Sequence, residues 1–136
     1  MKAKTMLYWA TTSLIALETF LGGLVDLTHG RTGVISGPFV TQVVTNLGYP
    51  VYILAIIGIF KIPGAVTIVV PGFLRLKEWA YAGIAFELSG AVASHATYAK
   101  WGDSIAPLSL LCLAIASWAL RPASRTLGTL FPADGH

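Results

Sequence analysis

Four long apolar runs, separated by short charged or turn-rich stretches, constrain this chain more than any motif in it. A helix needs roughly 20 largely apolar residues to cross about 30 Å of hydrocarbon, where it must satisfy its own backbone hydrogen bonds. Segments 5–27, 49–70, 79–98 and 105–120 meet that requirement, the last marginally. With 55% hydrophobic and 11% charged residues, 136 residues hold too little polar material to coat a water-soluble globule. Lipid is therefore the expected solvent for most of the surface. The expected architecture is all-α: a single membrane domain over 1–136, built as a transmembrane four-helix bundle.

Charge sets the orientation. Lys2, Lys4, Arg75, Lys77, Arg121 and Arg125 fall on one side of this arrangement, and Arg31 and Lys100 on the other. The positive-inside rule then places both termini in the cytoplasm, as in a bacterial-type cytoplasmic (inner) membrane. Lys2 and Lys4 before an apolar run suit a signal peptide too, but Glu18 interrupts the run and no small-residue cleavage site follows. Tyr8, Trp9, Trp79, Tyr81 and Trp118 at the inner ends are expected as interface anchors, as are Tyr49, Tyr52, Tyr98 and Trp101 at the outer ends. The basic excess serves topology, since no basic run or aromatic stripe is present to track phosphates, which argues against nucleic acid. A single cysteine, Cys112, excludes an intrachain disulfide and a CxxC dithiol mechanism.

One long connection, 28–48, opens with GRTGVISGP and then places Phe39, Val40, Val43, Val44 and Leu47 at helical spacing. Pro38 suits the first turn of such a helix. A short amphipathic helix in this first outer loop is expected, lying on the leaflet or folded over the bundle mouth as a lid. The tail 121–136, with Pro, Ser and Gly, reads as a flexible cytoplasmic end.

Ionisable side chains at membrane depth cost about 2.5–3.5 kcal/mol each on insertion scales, so each needs a partner or a purpose. Glu18, Lys61 and Glu87 lie in the first three spanning segments. At a rise of about 1.5 Å per residue, Lys61 and Glu87 both fall about 12 Å above the cytoplasmic edge and Glu18 about 18 Å above it. An acid-to-lysine contact is within reach. Pro63 withholds a backbone donor from the Ile59 carbonyl and can kink the helix beside the charge. Glu87, Gly90, Ala91 and Ser94 share one face of the third segment, which His95 continues, and small residues between polar ones suit close packing or a slot for a flat ligand. Asp26 and His29 near the first outer end, with His95 and Asp103 near the other, extend a polar ladder to the outer face. Glu18, Lys61, Glu87 and His95 are thus the candidate catalytic residues, and Asp26, Gly90, Ser94 and Asp103 the candidate substrate-binding ones. The bland alternative is that the charges only fix helix register. Asp26, His29, His95 and Asp103 match no metal-ligand spacing, so no metal is expected. Rim histidines without CxxCH make haem a weaker cofactor candidate than a quinone.

The stretches LGYPVYILAIIGIFKIPGA and PGFLRLKEWAYAGIAFELSGAVASH, then GD and the later LRP, resemble the DoxX-like family of small four-helix membrane proteins. The resemblance spans 47–122, with LKEWAYAG and SGAVASH its most specific parts. It implies a four-helix bundle in which Lys61, Lys77, Glu78, Glu87, His95 and Asp103 occupy the family's polar motif positions. Glu87 stands where the pattern has Asp, and extra residues separate His95 from Gly102 and Asp103. The family takes its name from a quinone-linked thiosulfate oxidoreductase subunit, and distant members look like assembly factors.

Residues and resemblance together give the expected function: a membrane redox component or enzyme acting on a hydrophobic small molecule, a quinone first among them. Lys61 would polarise a carbonyl, Glu87 or Glu18 would act as general acid and base, and protons would travel through His95 and Asp26. No flavin or nicotinamide fingerprint is present, so electrons require a bound cofactor or a membrane redox partner. The same residues suit an isomerase of a lipophilic ketone or epoxide. From other classes come a noncatalytic membrane subunit or assembly factor, and a carrier, whose path through four helices stays narrow unless the chain forms a homo-oligomer.

Overall fold

The computed structural model describes residues 2–29 and 39–128, so the expectations for Arg31 and Pro38 and for the end of the tail lie outside the described residues. Five α-helices form: α1 Lys2–Leu27, α2 Phe39–Asn46, α3 Ile53–Val69, α4 Leu74–Thr97 and α5 Trp101–Ala119, followed by a 3-10 turn at Ala123–Arg125. No strand occurs among the described residues. α1 packs on α3 and α5, and α4 packs on the same two, so each long helix has two long neighbours. α2 falls in the first connection, as its hydrophobic spacing suggests, and buries none of its residues. The fourth long helix starts at Trp101, ahead of the expected 105, where Asp103 in its first turn complements the positive helix end.

By length and composition, α1 and α5 each suffice to cross a membrane, whereas α3 is apolar but shorter. α4 is long but carries Arg75, Lys77, Glu78 and Glu87, which lower its apolar character. The surface supplies an independent sign. Met6 and Leu14 on α1, Ile59 and Phe60 on α3, Trp79 and Phe86 on α4, and Ile105 and Ile115 on α5 are all exposed. Meanwhile Thr12, Thr19, Thr67, Lys77, Ser104 and Ser117 are buried. Apolar outside and polar inside is the pattern expected when lipid, not water, is the solvent.

Ile15 and Ala16 of α1, Ile68 of α3, Tyr81, Ile84 and Leu88 of α4 and Ala114 of α5 form the apolar core, so every long helix contributes to it. Beside it a hydroxyl network crosses the helices: Thr12 Oγ1 and Ser117 Oγ are 2.6 Å apart, and Tyr81 Oη and Ser117 Oγ 2.8 Å. This overturns the reading of Tyr8 and Tyr81 as lipid-interface anchors, since both are buried, at 0% and 4% exposure. Helices in lipid gain little from apolar contact alone, and a phenol that reaches an interhelical hydrogen bond is better placed inside.

The tail also departs from expectation, because residues 121–128 are held at the cytoplasmic ends expected for α3–α5. Arg121 is buried, pairs through Nη1 with Glu78 Oε1 at 2.7 Å, and lies over the rings of Tyr81 and Trp118. Arg125 Nη1 donates to the carbonyls of Val69, at 2.9 Å, and Ile68, at 3.3 Å. Lys77 donates to the Thr67 and Val70 carbonyls. The last carbonyls of a helix have no intrahelical donor, and these cations supply what α3 lacks at its end.

Candidate functional site

Small residues bring α1 and α3 together at the height of the buried charges. A Cβ on Gly23 would stand 2.9 Å from Lys61 Cβ and 3.0 Å from Ile62 Cγ1, and one on Gly58 2.7 Å from Leu27 Cγ and 2.8 Å from the Gly23 carbonyl. Larger side chains would force the helices apart, so glycine sets their separation. The lysine stem is thereby laid against α1. Its Nζ lies over Gly22, 3.2 Å from where a Cβ would be, and Glu18 Oε1 stands 3.5 Å from the same point.

Lys61 Nζ pairs with Glu87 Oε1 of α4 at 2.9 Å and with Asp26 Oδ2 of α1 at 3.2 Å. Three helices thus meet at one ammonium. The side chains of Lys61, Asp26 and Glu87 are 14%, 8% and 27% exposed, which marks Glu87 as the member open to the outside. Breaking a buried pair leaves a charge uncompensated, whereas two carboxylates on one lysine keep it compensated when either takes up a proton. Glu18 makes no ion pair among the described residues, yet its carboxylate borders the same space over Gly22.

Between α3 and α4 a groove of about 500 Å³ opens onto this pair. Lys61 and Glu87 supply its charge, while Phe60, Trp79 and Ile84 are among the apolar side chains around them. Pro63, Gly64 and Gly83 line it as well. A Cβ on Gly64 or Gly83 would meet nothing within 4 Å, so no side chain of the protein closes the groove at these two positions. Its size lies within the roughly 300–1,000 Å³ of small-molecule sites, which pair apolar walls with a few placed polar groups.

The other candidates lie elsewhere. Ser94 Oγ donates to the Gly90 carbonyl at 2.7 Å and sits 2.8 Å from Tyr49 Oη, tying α4 to the residues before α3. A Cβ on Gly90 would meet nothing within 4 Å, and Asp103 is exposed in the first turn of α5. None of Asp26, Gly90, Ser94 and Asp103 lines the groove, and of the four only Asp26 joins the charged centre. His95 is half-buried with Nδ1 lacking a hydrogen-bond partner, and His29 Nε2 is in the same condition. Among the described residues no cluster of His, Cys, Asp or Glu could hold a metal ion.

Reading the sequence alone missed Asp26 as a direct partner of Lys61, together with the roles of Gly22, Gly23 and Gly58. The signal was partial: small residues at 22, 23 and 58 allow the first two segments to approach closely, but counting from helix ends puts Asp26 well above Lys61. A sequence model of the DoxX-like family matches residues 10–117, which takes in most of α1, ahead of the quoted motifs, and contains Glu18, Asp26, Lys61 and Glu87. No curated protein and no solved structure matches the chain.

Proposed function

The chain belongs to the DoxX-like family of membrane proteins, and from that premise we propose that it is a transmembrane four-helix bundle that binds a lipophilic carbonyl compound, a quinone, as part of membrane redox chemistry. α1, α3, α4 and α5 are the spanning helices in this reading, with both termini cytoplasmic as the charge bias requires. One observation carries the functional part: an ion pair, Lys61 with Glu87, stands in the wall of an otherwise apolar groove. Apolar walls accept a ring and its isoprenoid-like tail directly from the bilayer. The Lys61 ammonium then meets a carbonyl oxygen and stabilises the negative charge that develops there on reduction.

Reduction of a quinone to a quinol takes two electrons and two protons, one for each oxygen. The electrons come from a redox partner in the membrane. Glu87, beside Lys61 and the more exposed of its two partners, takes up a proton through Glu18, passes it to the nearer oxygen and returns to the carboxylate. Asp26 holds Lys61 in place and charged during the interval in which Glu87 is neutral. The second proton reaches the far oxygen from the open side of the groove.

Mass spectrometry of small molecules that co-purify with the detergent-solubilised protein tests this reading. Wild type is expected to carry a quinone, and both Lys61→Met and Gly83→Trp, which fills the groove while keeping both charged residues, are expected to lose it while remaining in the membrane. Equal retention in both variants, or no bound quinone in wild type, would instead favour the noncatalytic subunit. A co-purified lipophilic ketone or epoxide would favour the isomerase.

A further inference from the structure

Two further hollows join at the inner ends of α4 and α5. One, of about 490 Å³, is a furrow between the helices lined by Ala82 and Ala85. The other, of about 510 Å³, opens beside Arg75 and Arg121. Glu78, Trp79 and Trp118 line both, so the two adjoin and together make a channel-like surface, apolar along the helices and basic at its mouth. Trp79 alone is shared with the α3/α4 groove, so the channel is a separate site.

Among the described residues the charge around the mouth is unbalanced. Lys77, Arg121 and Arg125 are bound to backbone carbonyls, which satisfy their hydrogens without cancelling their charge. Among the described residues Glu78 is the one carboxylate beside them, and it is already paired with Arg121. Arg75 is exposed, and its side chain makes no hydrogen bond or ion pair among the described residues. Cations just inside the membrane boundary, flanked by two tryptophans, lie at the depth of lipid headgroups. A free inorganic anion has no use for the furrow, and an acidic peptide would strand polar backbone in it.

We propose that this channel binds an anionic glycerophospholipid, its phosphate at Arg75 in the field of the buried Arg121 and one acyl chain along the α4/α5 furrow between Trp79 and Trp118. The bound lipid adds a counter-charge to a surplus of cations and covers apolar side chains of both helices. It would thereby lock α4, and with it Glu87, against α5.

The test follows the melting temperature of the delipidated full-length protein in detergent as lipid is added. Phosphatidylglycerol is expected to stabilise wild type at concentrations about fivefold or more below those of phosphatidylcholine with the same chains, the preference that ~1 kcal/mol per cationic contact gives. Inorganic phosphate is expected to do nothing. Arg75→Glu should abolish the preference, and Ala82→Phe, which narrows the furrow at an exposed position, should weaken the response to both lipids. Lys4→Glu, on the same side of the membrane but outside the channel, should respond as wild type does. Equal responses to the two lipids in wild type, loss of preference in Lys4→Glu as great as in Arg75→Glu, or an unchanged response in Ala82→Phe would each overturn the proposal. If Arg75→Glu does not fold, Arg75→Gln and Ala82→Phe decide it.

Discussion

Lys61 is shared by two carboxylates, and that sharing governs what its removal does. Lys61→Met leaves Asp26 and Glu87 without their cation, a loss of about 3 kcal/mol for a buried pair. Adding Asp26→Asn to the same chain should recover part of it, with a coupling of about 0.5–3 kcal/mol in a double-mutant cycle read by thermal unfolding in detergent. Glu87→Gln should cost less, on the order of 1 kcal/mol, because Glu87 is more exposed, its amide still accepts a hydrogen bond, and Asp26 still pairs with Lys61. Its effect on proton-coupled turnover should be far larger than its effect on stability, and kcat measured beside melting temperature separates the two. Lys77 behaves differently. Lys77→Met strands the Thr67 carbonyl and leaves that of Val70 only its long bond from Arg125, at about 1–3 kcal/mol, while leaving quinone binding unchanged.

At the level of elements, glycines sort into two kinds that the sequence does not distinguish. Gly58→Ala drives a methyl into Leu27 and the Gly23 backbone, so α1 and α3 must part, at about 1–3 kcal/mol, and Lys61 should lose its hold on Asp26. Gly64→Ala and Gly83→Ala meet open space, and should be neutral or more stable by up to about 1 kcal/mol through helix propensity. Thermal unfolding of the three variants side by side checks this. The helices themselves were legible, because apolar length and turn residues are local properties: segments 5–27 and 79–98 fall on α1 and α4, and the spacing of Phe39 to Leu47 falls on α2. Pairing was less so. Gly23 packs against the Lys61 Cβ, so α1 and α3 are offset along their axes, and Lys61 finds Asp26, a residue that counting from helix ends puts well above it. Tyr8 and Tyr81 misled for a related reason, since an aromatic residue near a helix end serves the lipid interface on one face and an interhelical hydrogen bond on another. Nor does composition reveal that Arg125 docks on carbonyls at the end of α3, because a helix end's need for donors shows only once the ends are placed together.

On the scale of the whole molecule, the arrangement is turned out relative to a water-soluble protein. Phe86, at 78% exposure near the middle of α4, faces lipid in this account. Phe86→Arg should therefore cost about 2.5–3.5 kcal/mol of insertion and lower the membrane-integrated fraction, where a water-soluble fold would gain solubility from the same change. Inside that shell the Lys61 centre borders a groove open between α3 and α4, and the proposed chemistry would lie where a bilayer-dissolved compound can approach sideways. Photo-crosslinking with an azido-quinone, followed by peptide mapping of the wild-type protein in detergent, tests that placement most directly. Label concentrated on residues 56–64 of α3 and 79–87 of α4, and displaced by unlabelled quinone, is the expected result. Label spread over all four outward faces, or unchanged by competing quinone, would contradict it.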